Sequence, residues 1–212
     1  AGVLASVTNA QLVGISAVEL WVTGSVKYNH SPSADRINWA TATTGGNDLS
    51  GLLADLDIIS AVQLQASGSG SLNVGPGNVV ASVTSFTLSI GTMDVVTGNV
   101  NLGTLEDASV VSVNVTNASV FVGTGHAGLD AATHLPLARG ASAIGFDVTG
   151  IGFTLDTVTK AGVSYAGVLA SVTNAQLVGI SAVELWVTGS VKYNHSPSAD
   201  RISQATSPIK GG

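Results

Sequence analysis

Apolar and polar residues alternate along most of the chain, and this pattern predicts β-strands because successive strand side chains point to opposite faces. In the segment 18–28, apolar side chains occupy nearly every second position, and Glu19, Trp21, Thr23 and Lys27 lie between them. The segment 64–74 alternates in the same way. We therefore expect an all-β fold.

A short motif, Val-Thr followed by Asn, Ser or Gly, interrupts this alternation five times. Its copies begin at Val7, Val83, Val115, Val148 and Val172. The apolar positions change parity at each copy, which predicts that the chain bulges or turns a corner there. A corner that recurs without tight-hairpin dipeptides is typical of a solenoid coil. The sequence therefore favours a β-solenoid, parallel β-helix-like, with an antiparallel β-sandwich as the alternative.

Three segments depart from the strand pattern and predict short helical excursions or loops on the β body. Residues 29–38 form a polar stretch around Pro32. Residues 47–57 place Leu at helical spacing behind Asn47 or Asp48, either of which is a suitable helix cap. Residues 124–140 predict a long excursion with one helical turn before Pro136.

A duplication frames the chain, because residues 166–202 repeat residues 1–37 without a single difference. We expect one all-β repeat domain over 1–202, built on a unit of 165 residues, with 203–212 as a linker or tail. The repeat is either a window on a natural tandem array or an engineered duplication. Both interpretations give the two ends the same structural piece. The predicted self-association segments are therefore Ala1 to Ile37 and Ala166 to Ile202.

Composition narrows the classes of function. Only 9% of the 212 residues are charged, with seven Lys and Arg against thirteen Asp and Glu and no Cys. The chain thus lacks the clustered basic residues that nucleic-acid binding needs. Polar residues interrupt every apolar run well before the roughly 20 residues of a membrane-spanning helix. Low charge also removes the usual protection of sheet edges against pairing with other chains.

Candidate metal ligands are few. The segment 44–51 resembles a shortened Gly-Gly-x-Gly-x-Asp calcium motif of bacterial repeats-in-toxin proteins, which makes Asp48, Asp55 and Asp57 weak candidates for calcium. His126, Asp130 and His134 are the other close group of metal-capable side chains, although their spacing matches no standard ligand pattern. Each of these two groups is either a metal site or simply part of a turn or surface loop. No cofactor other than calcium is indicated.

No nucleophile elbow, phosphate-binding loop or metalloprotease helix is present in the sequence, so we do not expect an enzyme. The Cys-free composition rich in Val, Thr, Gly, Asn and Ser, the Val-Thr-Asn and Val-Thr-Gly motifs and the long identical repeat give the chain its character. In these features it resembles repeat segments of very large secreted or surface proteins of Gram-negative bacteria, such as adhesins.

The resemblance implies an extracellular or cell-surface protein with an adhesive, filament, matrix or spacer role. Our first expectation is a structural unit that associates with copies of itself, end to end or by exchange of the duplicated segments. The alternative is a module that binds a glycan or a surface protein, with calcium as a candidate helper. Its loops 29–38 and 124–140 would then act with clustered aromatic side chains, for which the candidates are Trp21, Trp39, Tyr165 and Trp186.

Overall fold

The computed structural model describes residues 1–12, 15, 17–32, 35–44, 47–48, 56–75, 77–180 and 182–203, and these residues form ten strands and no helix. The strands are β1 Gly2–Gln11, β2 Val18–Asn29, β3 Thr43–Thr44, β4 Asn47–Asp48, β5 Val62–Val74, β6 Val79–Val96, β7 Thr104–His126, β8 Arg139–Lys160, β9 Val163–Val178 and β10 Trp186–His195. The all-β prediction is confirmed.

Eight strands form one sheet in the order β1-β2-β5-β6-β7-β8-β9-β10, and β3 pairs with β4 separately. Every neighbouring pair is antiparallel. The pairing found in the described part of the chain leaves β1 and β10 as the two edges of an open sheet. The structure thus does not show the parallel solenoid. Strand direction agrees with the antiparallel alternative, although the eight strands lie in one sheet.

The interrupting motif forms bulges inside the strands instead of corners between them. The register shifts between Val7 and Ala10 in β1 and between Val115 and Ala118 in β7. Asn117 and Gly150 take positive φ angles of 53° and 65°, a conformation that Asn and Gly tolerate best. Each bulge absorbs an extra residue within its strand, so the parity change returns apolar side chains to the same face.

Because the bulges return apolar side chains to the same side, one face of the sheet is continuously apolar. Directly paired residues share a face. One row therefore crosses all eight strands through Ala5, Val26, Ala66, Leu88, Val113, Leu155, Val168 and Tyr193. A second row runs through Leu20, Leu72, Ala81, Val120, Val148, Ala175 and Val187. We call this side, bounded by the two rows, the apolar face.

The opposite side, the polar face, carries Ser, Thr, Asn, Gln and the charged strand residues. One of its rows runs through Lys27, Gln65, Ser89, Ser112, Asp156, Gly167 and Asn194. Hydroxyl and amide groups bond across strands here, as in Ser82 Oγ to Ser119 Oγ at 2.9 Å. The structure thus confirms the predicted alternation of 18–28.

Burial is concentrated on the polar face, where the strands meet the connecting segments. The buried cluster of Phe121, Ala143 and Val178 lies there, and so do the buried amides Asn29 and Asn73. The accessible surface is 12700 Å² for a mass of 21.0 kDa. A globular monomer of that mass exposes about 9,000 Å². Among the described residues, the eight-stranded sheet has only the two-stranded sheet beside it, so no second large sheet covers either of its faces.

The predicted helical excursions have different outcomes. Asn47 and Asp48 pair with Thr43 and Thr44 as a short hairpin, and the residues 49–55 of the expected helix lie outside the described ones. In the 124–140 excursion, His134 N–H donates to the Asp130 carbonyl at 2.8 Å. This closes one turn of the chain before Pro136, without a helix.

Candidate functional site: the sheet edges and the apolar face

The two copies of the duplicated segment form the same hairpin at opposite edges of the sheet. In the first copy β1 pairs with β2, and in the second β9 pairs with β10. Their registers coincide: Val7 pairs with Gly24 as Val172 pairs with Gly189. Both hairpins also bulge at the same place, because the same Val-Thr-Asn motif supplies the extra residue.

Side-chain contacts repeat along with the backbone. Asn29 Nδ2 donates to the Ile37 carbonyl at 2.9 Å, and Asn194 Nδ2 donates to that of Ile202 at 2.8 Å. Tyr28 stacks on His30 as Tyr193 stacks on His195, with ring centroids 6.1 and 6.2 Å apart. The 37-residue segment thus determines its own hairpin, including the return of the chain to Ile37 or Ile202.

The copies differ in their neighbours. Strand β2 is held between β1 and β5, whereas its copy β10 is an edge. Strand β9 is held between β8 and β10, whereas its copy β1 is an edge. Each free edge therefore carries the same residues as an edge that is paired elsewhere in the same sheet.

Hydrogen bonds fix which groups of β1 face outward. Ala1 and His30 exchange both backbone bonds, at 2.7 and 2.8 Å. Bonded pairs alternate along an antiparallel ladder, so the N–H groups of Gly2, Leu4 and Ser6 point to the free edge. In the second copy the residue equivalent to Leu4 is Leu169, which pairs with Thr154 of β8. The free edge of β1 thus offers the backbone groups that β9 uses to bind β8.

The C-terminal copy is also held by a contact distant in sequence, which we call the latch. It joins the β6–β7 turn to the segment after β10. Asn99 Nδ2 donates to the Arg201 carbonyl at 3.0 Å, and Asn101 Nδ2 donates to Asp200 Oδ1 at 2.9 Å. Ser203 N–H donates to the Thr97 carbonyl at 2.7 Å. Removing the β9–β10 hairpin from the sheet would break all three bonds.

The excursion between β7 and β8 crosses the polar face and covers part of the first copy. The His134 ring stacks on Trp21 of β2, with centroids 3.4 Å apart and planes within 8°. At the other end of β2, Trp39 Nε1 donates to Asn29 Oδ1 at 3.1 Å, and Lys27 pairs with Asp57 at 3.3 Å. These segments pack on the polar face, and none of the contacts found among the described residues covers the apolar face.

The candidate ligands His126, Asp130 and His134 have separate structural roles. His126 Nδ1 accepts a bond from Gly128 N–H at 3.0 Å, and its ring lies 5.2 Å from Phe121. Partial burial lowers the pKa of His126, and the charge of Asp147 opposes that shift. His134 meanwhile stacks on Trp21.

Asp130 organises the turn of the excursion. Its Oδ1 accepts bonds from the N–H and hydroxyl of Thr133 at 2.7 and 2.8 Å and from Ala132 N–H at 3.1 Å. The Thr133 backbone bond is the main cause that lowers the Asp130 pKa, followed by the Thr133 hydroxyl and Ala132. The carboxylate therefore holds the loop that carries His134.

The calcium candidates are not brought together in the described chain. Asp48 lies in β4, Asp55 lies outside the described residues, and the Asp57 carboxylate pairs with Lys27. Within the described ranges, no three His, Asp or Glu side chains form a group able to hold a metal ion.

The aromatic candidates for ligand binding lie in different environments. Tyr165 is buried, Trp39 bonds to Asn29, and Trp21 is covered by His134. Trp186 is 68% exposed. The expected aromatic cluster is thus not formed by these four side chains, and glycan or protein binding stays a prediction.

No protein-family model, curated protein or solved structure matches the chain. Among the described residues, no helix has the length and apolar character to cross a membrane. The two sheet edges and the apolar face are therefore the features of the chain that bear on its function. The duplication predicted the two matching end segments, but the sequence alone could not show that they form the sheet edges or that the described loops pack on the polar face.

Proposed function

We propose that the chain is a structural, self-associating repeat unit of an extended extracellular bacterial protein, joined end to end through its duplicated hairpin. The identity of the two hairpins carries this proposal. Strand β8 pairs with one edge of β9, and β1 of another copy presents an edge with the same residues. The β1–β2 hairpin of one copy can thus replace the β9–β10 hairpin of the next.

Exchange would give a continuous sheet without any new interface. Thr154 would pair with Leu4 of the next copy instead of its own Leu169, and Leu155 would pair with Val3 instead of Val168. The contact is head to tail, because it joins one edge of a copy to the opposite edge of the next. Such heterologous contacts form open chains unless the rotation between copies closes a ring.

The exchange should depend on concentration. A hairpin attached to its own sheet has a high effective concentration, in the millimolar range for short flexible linkers. The latch adds to this advantage, because Asn99 and Asn101 hold the second copy in place. We expect closed monomers in dilute solution and chains at high concentration, and we expect Asn99→Ala to shift assembly to lower concentration.

Engineered disulfides test the register, since the chain contains no Cys. Opposed residues of a bonded antiparallel pair have Cα atoms about 5.5 Å apart, a distance that a disulfide spans. The variant Leu4→Cys/Thr154→Cys should form intermolecular disulfides and a ladder of covalent oligomers. The matched control Thr154→Cys/Leu169→Cys should form an intramolecular disulfide and stay monomeric.

A second variant tests the edge itself. Leu4→Pro removes a backbone N–H that points to solvent in the monomer but would bond to β8 after exchange. The variant should fold and remain monomeric at concentrations where we expect electron micrographs of the unsubstituted chain to show filaments. Filaments of unchanged length and number from Leu4→Pro would exclude this mode of joining.

A further inference from the structure

The apolar face is a large surface whose side chains remain partly exposed to solvent. Between its two rows it carries only Val, Ile, Phe, Ala and Gly. Side chains on the inner strands β6, β7 and β8, such as Leu88, Val113 and Leu155, are only partly buried by their neighbours. Toward the edges Val26 is 43% exposed and Val191 is 66% exposed. Contiguous apolar patches of this kind mark interaction surfaces.

We propose that this face packs against the same face of a second copy, so that two sheets form a sandwich. Its size fits such a partner. Eight strands at the usual spacing of about 4.8 Å, over the length between the two rows, give a footprint of roughly 900 Å² per copy. A stable protein interface buries about 800 Å² per partner. The face is therefore large enough for a specific dimer.

The described part of the chain leaves this face accessible to a second sheet. The excursion bearing His134 and the segment bearing Trp39 and Asp57 both pack on the polar face. Neither contact places a loop over the centre of the apolar face. Two such sheets pack about 10 Å apart, with their side chains interdigitated. The alternation of large and small residues, as in Leu88 beside Ala66, suits this interdigitation.

Charge favours a second copy over a lipid surface. Proteins that lie on membranes surround the apolar side with Lys and Arg, which attract anionic headgroups. This chain has a net charge of −6 and seven basic residues in total. No charged residue lies on the apolar face between the two rows, and every position between these rows belongs to a described strand. A second uncharged face therefore complements it better than a headgroup layer does.

The test labels one position on each face of β7. Val113→Cys places a thiol on the apolar face, in the row that runs through Leu88 and Leu155, and Ser112→Cys places one at the adjacent position on the polar face. The original Val113 and Ser112 are both half-buried. Alkylation by a water-soluble maleimide is followed by mass spectrometry at low and high protein concentration. We expect Val113→Cys to react about tenfold more slowly at high concentration, as when nine in ten copies are paired. Ser112→Cys should react at the same rate throughout.

Leu4→Pro separates this proposal from the joining of edges. In that background hairpin exchange is blocked, but face packing and the protection at position 113 should persist. Protection that disappears with Leu4→Pro, or a rate at position 113 that never depends on concentration, would overturn the face pairing. Protection that requires phosphatidylcholine vesicles would overturn it in favour of a lipid partner. Circular dichroism of the two Cys variants checks that both retain the sheet.

Discussion

The same 37 residues form two hairpins in this molecule. In the first copy the second strand has neighbouring strands on both sides, and in the second copy the first strand does. Their hairpins share register and side-chain bonds, yet their exposures differ. Trp21 is half-buried beneath His134, whereas its copy Trp186 is 68% exposed. Gln176 is only 8% exposed, whereas Gln11 lies on the free edge and is exposed. Sequence therefore determines the hairpin, and the strand or loop that packs beside it determines how much its residues contribute to stability.

Proline at equivalent positions should give the largest difference between the copies. Leu169→Pro removes a backbone bond to β8 from the middle of the sheet and should cost about 3 kcal/mol of unfolding free energy. Leu4→Pro affects an outward N–H and should cost less than about 1 kcal/mol. Urea denaturation of the two variants at low concentration measures both values. Equal losses would mean that β1 is paired in solution as β9 is.

The tryptophan pair should give the next largest difference. Trp21→Ala removes the ring that stacks on His134 and should cost about 2 kcal/mol. Trp186→Ala should change the unfolding free energy by less than about 0.5 kcal/mol, because its ring is mostly in water. Denaturation curves followed by circular dichroism compare them without relying on tryptophan fluorescence. A large loss for Trp186→Ala would place that ring in an interface between copies.

The glutamine pair tests a single buried hydrogen bond. Gln176 Nε2 donates to Asp147 Oδ2 at 3.3 Å, and Arg139 Nε binds the same oxygen at 3.0 Å. Gln176→Ala should cost about 1 kcal/mol because it removes a bond to a charged group. Gln11→Ala should have little effect in the monomer. After exchange, however, Gln11 would face Asp147 of the neighbouring copy, so this variant should weaken filaments selectively.

Acidification should give the smallest effect, confined to the cover of the first copy. Burial lowers the folded-state pKa of His126, so the unfolded chain binds the proton more readily. The contribution of His126 to stability is present above the unfolded pKa of about 6.5 and declines as pH falls below it. The hydrogen-exchange protection factors of residues 127–134, which correct for the pH dependence of the intrinsic rate, should therefore fall on acidification, while those of the β9–β10 hairpin change less.

His126→Asn provides the control for this pH effect. The amide oxygen can still accept the Gly128 N–H bond, but it does not titrate in this range. The change in protection factor with pH should become smaller than in the unsubstituted chain. An unchanged pH dependence in this variant would assign the effect to another group.

Much of the local structure could be predicted from the sequence. Alternation of apolar residues identified the strands, because a strand side chain must point to one of two faces. The parity change at Val115 to Ala118 predicted an interruption, which the structure places as a bulge within β7. The sequence could not distinguish this bulge from a corner, because both absorb one residue. Only the pairing with β8 decided that the strand continues.

The candidate sites also divide into those that the sequence identified and those that only the structure revealed. The sequence identified the segments from Ala1 to Ile37 and from Ala166 to Ile202, since their identity is visible without any structure. It could not predict that His134 stacks on Trp21 or that Asp130 caps its turn, because these contacts join residues distant in the chain or depend on loop geometry.

The chain by itself thus determined the strands, their two chemically distinct faces and a hairpin that forms identically wherever it occurs. These features depend on alternation, bulge residues and contacts within 37 residues. Tertiary structure decided strand direction, the positions of the two free edges and which face the loops cover. Those outcomes depend on the assembly of distant segments. The structure therefore shows where the low charge of the sequence matters: on one uncharged face of the sheet and at two edge strands that repeat the residues of paired strands.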